Sequence, residues 1–184
     1  MRPFTIFVNK LLDGLLVGAE VGVYAGANAQ SLLDNTLTKT LYLIDPYEMY
    51  ESYEFEGAKA QLYLSLEEAE REAHKRLAKY HNRVVWLQEK FGDVSKMPPL
   101  DYVYIDGNHS FDFVKVDVEQ ACKFVRDGGV VGGHNYCWSG SPDVKRFVDE
   151  FVKVHGLRLF IVPDDWWFIA SARARGPMAP ATAG

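Results

Sequence analysis

LDYVYIDGNHSFDFVKVDVEQACKFVRDGGVVGGHNY, running from Leu100 to Tyr136, is the stretch that decides the fold. It reads as strand, polar turn, helix, Gly-Gly stop, strand and a second polar turn. Val103, Tyr104 and Ile105 form a short β-rich apolar run that breaks at Asp106-Gly107. Val130 and Val131 repeat that run, which ends at His134-Asn135. Between the two runs, the Ser110 hydroxyl can cap a helix. Val114, Val118, Ala121 and Val125 recur at spacings of four, three and four, which sets them on one buried helical face. Gly128 and Gly129 suit a left-handed helix stop. The pattern predicts a βαβ unit with parallel neighbouring strands and a right-handed crossover. Both polar turns then share one carboxyl edge of the sheet, where open α/β folds bind ligands. Asp106, His109, His134 and Asn135 are expected to converge there, although they lie far apart in the chain.

Working outward, composition bounds the answer. The 184 residues are 48% hydrophobic and 24% charged, which suits one globular domain with a sizeable core. The net charge of −5 and a pI near 5.5 leave no basic patch to displace counterions, so nucleic acid is not the expected partner. Cys122 and Cys137 do not make a disulfide framework, and a reduced, cytoplasmic setting is expected. No apolar run approaches membrane-spanning length. Lys10 and Asp13 interrupt the first apolar stretch, which argues against a signal peptide. A single domain over residues 1–171 is predicted, with residues 172–184, small and proline-containing, as a disordered tail.

Upstream, Phe4 to Leu16 has a loose helical period and is expected to pack across the sheet. A first strand, Ala19 to Tyr24, runs into EVGVYAGANAQS, where Glu20, Gly22 and Gly26 give E-x-G-x-x-x-G. Glycines there let a ligand approach the backbone, and the helix after them offers free N–H groups. A plain tight turn is the alternative. A second strand, Thr40 to Ile44, ends in Asp45-Pro46, about twenty residues on, where an acidic side chain grips a ribose hydroxyl pair in nucleotide-binding folds. The alternative is a solvated turn aspartate. Glu51 to Leu64 has no clean period and reads as a lid or an irregular connection. Ser65 and Glu68 form a capping box before a helix whose inward face is Leu66, Ala69, Ala73 and Leu77. Arg83 to Leu87 is a third strand, and the turn at Gly92-Asp93 reaches the ligand edge beside a nucleobase.

Downstream, Tyr136 and Trp138 are expected at the rim. Ser141 caps a helix begun by Pro142, with Val144, Phe147, Val148, Phe151 and Val152 as its buried stripe. Leu157 to Val162 and Trp166 to Ala170 form a closing hairpin, in which Trp166 and Trp167 serve packing.

Over Val17 to Ala170 the chain resembles the class I S-adenosylmethionine (SAM)-dependent methyltransferases, in particular the small-molecule branch described as methyltransferase family 24. EVGVYAG, LYLIDPY, YVYIDGNHSFDFVKVDVE and GGVVGGHNY followed by DVKRFVDEF carry the resemblance. The resemblance implies a Rossmann-like, seven-stranded, mostly parallel sheet with helices on both faces and an antiparallel C-terminal hairpin strand. It implies that Glu20, Gly22 and Gly26 bind SAM, that Asp45 holds its ribose, that Asp93 lies at its adenine, and that Asp106 sits beside the methionine end and the methyl. In metal-using relatives, carboxylates at the ends of these two central strands hold Mg²⁺. Asp106, His134 and Asn135 would be that set here, with a charge missing where Asn135 replaces the family's aspartate.

The implied activity is methyl transfer to an oxygen, or less readily a nitrogen, of a small-molecule acceptor. The donor is already activated, so the protein aligns the reactants and removes a proton. His109 or His134 is the expected base, with His109 ahead because it lies three residues past Asp106 on an open turn. A nicotinamide-dependent oxidoreductase is the alternative enzyme, against which the glycine spacing counts. A non-catalytic SAM-binding regulator is the alternative outside enzymes, and a homo-oligomer is left open.

Overall fold

The computed structural model describes residues 1–49, 64–137 and 142–176. The central strands β1 (Leu16–Val21) and β4 (Leu100–Ile105) are largely apolar and are buried on both faces, as strands covered from two sides are. Together with β2 (Thr38–Ile44), β3 (Val84–Leu87), β5 (Val125–Gly133), β6 (Phe160–Val162) and β7 (Asp165–Ile169) they form one seven-stranded sheet. The order is β3-β2-β1-β4-β5-β7-β6. The first five strands are parallel, and β7 runs antiparallel to both β5 and β6. The Rossmann-like architecture with a closing antiparallel hairpin is therefore as expected.

Alternation sorts the side chains. Ala19, Val21, Val103, Ile105 and Val131 face helices α4 (Phe111–Phe124) and α5 (Pro142–His155). Leu41, Leu43, Tyr102, Tyr104 and Val130 face α1 (Pro3–Leu11), α2 (Ala27–Asn35) and α3 (Leu66–Leu77). Phe4 of α1 meets the Tyr104 ring edge-on at 5.0 Å between centroids. Among the described residues no helix is long and apolar enough to cross a membrane.

Register positions the site. Val21 pairs with both Ile44 and Ile105, and Ile105 pairs with Gly133. The next residues, Gly22, Asp45, Asp106 and His134, are therefore level at one edge. Backbone bonds continue the ladder there: Gly22 N–H to Ile44 O at 2.9 Å, Asp106 N–H to Val21 O at 2.7 Å, and His134 N–H to Ile105 O at 3.0 Å.

Several local expectations need correction. Helix α4 ends at Phe124, and Val125 is already extended and paired with Leu100. Its place in the apolar stripe belongs to the strand. Gly128 does take a positive φ of 80°, but within β5, where its N–H bonds Ala170 O at 2.9 Å. Ser110 occupies the N-cap position without a side-chain cap bond. Asn108 Oδ1 accepts the Ser110 N–H at 2.9 Å, and Asp143 Oδ2 of α5 accepts the Phe111 N–H at 3.1 Å. Tyr136 is buried rather than at the rim, its hydroxyl donating to Asp149. Just past residue 171, Ala172–Arg175 is a 3₁₀ turn with Ala174 buried. Arg175 holds it by donating to Cys122 O at 3.2 Å and Val125 O at 3.0 Å, carbonyls at the end of α4 that lack helical partners. The lid-or-connection segment over 51–63, Trp138, the Ser141 cap and the tail beyond Gly176 lie outside the described residues.

Candidate active site

Gly22 ends β1 with a φ of 83°, and a Cβ there would lie 2.3 Å from the Asp106 carbonyl oxygen. Only glycine lets the ends of β1 and β4 close on each other, at the point where the chain winds away in opposite directions. Gly26 is different. Its φ is 74°, and a Cβ would lie 3.2 Å from Ala73 Cα and 3.3 Å from a Leu77 methyl. It serves the packing of α2 on α3 and does not line the cavity below.

Asp45, at the end of β2, is occupied by the loop itself. Its Oδ2 accepts the Val23 and Tyr24 N–H groups, both at 2.9 Å, and its Oδ1 accepts the Tyr47 N–H at 2.8 Å. One carboxylate thus ties the glycine loop to the second strand and keeps a lone pair in reserve for a ligand hydroxyl. Glu20 lies beneath the loop, 1% exposed, with Oε1 accepting Asn28 Nδ2 at 3.2 Å and Oε2 without a hydrogen-bond partner among the described residues. Burial, only partly offset by the Asn28 bond, pushes its carboxyl up to about 8.

These elements enclose a cavity of about 360 Å³. Val21, Ile44, Phe91 and Val116 give it apolar walls. Of the residues singled out in the sequence, Gly22, Asp45, Asp93 and Asp106 line it, whereas Glu20, Gly26, His109, His134 and Asn135 are not among its lining residues. Asn108, Asp112 and Asp117 from the β4–α4 segment line it without having been singled out. Asn108 carries the Asx-turn signature ahead of Ser110; Asp117 carries no signature, because a helical aspartate normally reads as solvated.

Asp106 is the hub of the edge. Its Oδ1 lies 3.5 Å from His109 Nε2 and 3.7 Å from His134 Nδ1, and its Oδ2 lies 3.7 Å from Arg2. Burial works to raise this carboxyl, but the two imidazoles outweigh it and hold it well below the usual carboxylate range. His134 is shifted upward, chiefly by the Asp106 carboxylate facing its ring. The backbone of His134 is fixed on both sides, with its carbonyl accepting Trp166 Nε1 at 3.1 Å. Arg2 was missed in the sequence because its partner is remote: Asp165, 1% exposed, accepts Arg2 Nη1 at 3.3 Å, the Phe4 N–H at 3.1 Å and the Tyr104 hydroxyl at 3.0 Å.

The proposed metal set does not fit Mg²⁺. That ion is held through one or two free carboxylates and keeps several waters in a near-octahedral shell. Asp106 is instead ringed by Arg2, His109 and His134, so its charge is already answered, and Asn135 brings none. Among the described residues no group of three or more His, Cys, Asp or Glu is placed to hold a metal ion.

Comparison with known proteins fits this geometry. Compared with curated protein sequences, the chain has no match. Solved structures resemble it at low identity. An O-methyltransferase from Bacillus cereus in complex with S-adenosylhomocysteine (SAH) is 15% identical, covers 92% of this chain and 82% of its own, and has a TM-score of 0.61. The N-methyltransferase NodS from Bradyrhizobium japonicum, also with SAH, is 12% identical over 90% and 82% with a TM-score of 0.62. An rRNA methylase from Streptococcus thermophilus is 14% identical over 92% and 97% with a TM-score of 0.62. The profile of the methyltransferase-domain family 24 matches residues 19–136, from the glycine loop to the second polar turn. With its strand order, its glycine loop and its acid-lined carboxyl edge, the chain belongs to that family and is a class I SAM-dependent methyltransferase.

Proposed function

We propose that the chain transfers the methyl group of SAM to an oxygen of a small-molecule acceptor, and that His109 receives the acceptor's proton. The observation that carries this reading is the Asp106–His109–His134 cluster beside the cavity. SAM supplies a sulfonium-activated methyl group. The protein's part is then placement and proton removal. Gly22, Asp45, Asp93 and Asp106 are the residues that would hold SAM, Asp45 taking a ribose hydroxyl on its spare lone pair.

The division of labour between the histidines follows from their surroundings. His134 is held by backbone on both sides and its raised pKa makes it the firmer proton holder. It suits the standing counter-charge to Asp106. His109, on the turn into α4, faces the same carboxylate oxygen at 3.5 Å, which orients its ring for taking up the acceptor's proton. The cavity supports a small acceptor over RNA, because its lining carries Glu48, Glu89, Asp93 and Asp112 against Lys90. Acidic surroundings repel a phosphate backbone.

His109→Ala is expected to keep its fold and SAH affinity while losing about 10²–10⁴-fold in kcat against an accepted hydroxylated substrate. Near-normal kcat in His109→Ala with loss in His134→Ala reverses the roles; two active variants remove histidine from the proton step.

A further inference from the structure

Asp117 lies on α4 at the floor of the cavity and is 7% exposed. It makes no hydrogen bond or ion pair with any described residue. Its Oδ2 points at Gly107, where an added Cβ would lie 3.6 Å from that oxygen and 3.7 Å from a Val21 methyl. A buried carboxyl without a partner costs stability, so a protein keeps one only where something supplies the missing bond. The part of the cavity it faces is a slot with apolar walls. Val21 and Gly107 form its sheet side, and Phe91 and Val116 flank it. The turn carrying Phe91 and α4 are in tight contact, since a Cβ on Gly92 would sit 2.6 Å from a Val116 methyl. A slot of this kind suits a flat, uncharged ring with a hydrogen-bonding edge. Burial alone pushes the Asp117 carboxyl up to about 7, so it meets a neutral group at less cost than a fully ionised side chain would.

SAM has three sets of hydrogen-bond donors. Its ribose hydroxyls belong with Asp45 at the end of β2, and its charged ammonium with the edge around Gly22 and Asp106. The remaining donor is the exocyclic amine on a flat neutral ring. We propose that Asp117 reads that amine, accepting its N–H on a carboxyl oxygen and making the cavity selective for adenine. This rests on the cavity being the SAM site, and it adds a specificity residue to that site.

The test is a cycle between the residue and the ligand atom, read by calorimetry. The ligands are SAH and its 6-deamino analogue, in which hydrogen replaces the amine. Wild-type protein is expected to bind the deamino ligand about tenfold or more weakly, because a site built around a donor rejects the analogue that lacks it. Asp117→Leu should bind the two ligands within about twofold of each other, the interaction having been removed from one side already. Asp117→Asn, which keeps an acceptor oxygen and nearly the same shape, should retain the preference for SAH. The inference is overturned if wild-type protein binds both ligands equally, or if the Leu variant keeps the wild-type preference. Val116→Trp separates this failure from a misplaced cofactor site. It fills the cavity and should abolish SAH binding; normal SAH binding by that variant moves SAM elsewhere and overturns both readings.

Discussion

Asp45 shows how the place of a single residue can be legible while part of its work is not. Its position at the end of the second strand was legible, because spacing from the glycines fixes it. Its three backbone bonds were not, because they depend on how Val23, Tyr24 and Tyr47 curl around it. Each hydrogen bond to a charged group is worth about 1.5–3 kcal/mol, so removing the carboxylate releases the loop as well as a ligand contact. Asp45→Ala is predicted to weaken SAH binding by about tenfold or more and to lower Tm as well. Asp45→Asn, keeping one acceptor oxygen, should recover part of both. Equal calorimetric affinity in Asp45→Ala would remove the residue from the site. The same limit applies to Arg2 and Asp117. Neither sits in a local pattern, and each acquires meaning from a partner or a slot that only the folded chain creates.

At the scale of elements the sequence was most readable where one period governs a whole segment. The βαβ unit, the capping box at Ser65 and the stripe of α5 all appear as expected. Ser65 Oγ accepts the Glu68 N–H at 3.2 Å while Glu68 Oε2 accepts the Ser65 N–H at 2.9 Å. Reading failed at junctions. Val125 fits a helical stripe and a strand equally well, and pairing with Leu100 decides for the strand. Gly26 fits a ligand loop and a helix contact equally well, and the nearness of Ala73 decides for the contact. Gly26→Val is predicted to harm folding more than ligand binding, since a β-branched residue must adopt a left-handed backbone and press on α3. The left-handed conformation costs about 1–2 kcal/mol, which for a chain of this size is roughly 2–8 °C in Tm before any crowding is added. Thermal unfolding of the ligand-free variant checks this. An unchanged Tm with lost SAH binding would restore the ligand role.

For the whole molecule, ionisation ties the site to stability. Glu20 and Asp117 are both raised by burial, to about 8 and about 7. Each binds its proton more tightly folded than unfolded, so stability falls as pH rises from the ordinary carboxylate range to those values. The fall is up to about 1.4 kcal/mol per pH unit for each group. Asp106 acts oppositely: its depressed pKa gives a contribution present at neutral pH and lost as pH drops below the unfolded value. His134, raised by Asp106, contributes below its unfolded pKa and loses that contribution as pH climbs through its folded one. Ligand-free protein is therefore predicted to lose Tm steadily from pH 5 to pH 8, and Glu20→Gln and Asp117→Asn should each flatten the decline. A slope unaltered by either change would show that these acids are not the titrating groups. One further consequence concerns the order in which a ribosome makes the chain. Among the described residues, those lining the cavity run from Val21 to Asp117, so these walls exist before the last third has emerged. Arg2, at the other end of the chain, reaches Asp106 while held by Asp165 of β7. A growing chain can thus assemble this cavity early, yet the electrostatic setting of Asp106 is finished only when the closing hairpin arrives and recruits Arg2.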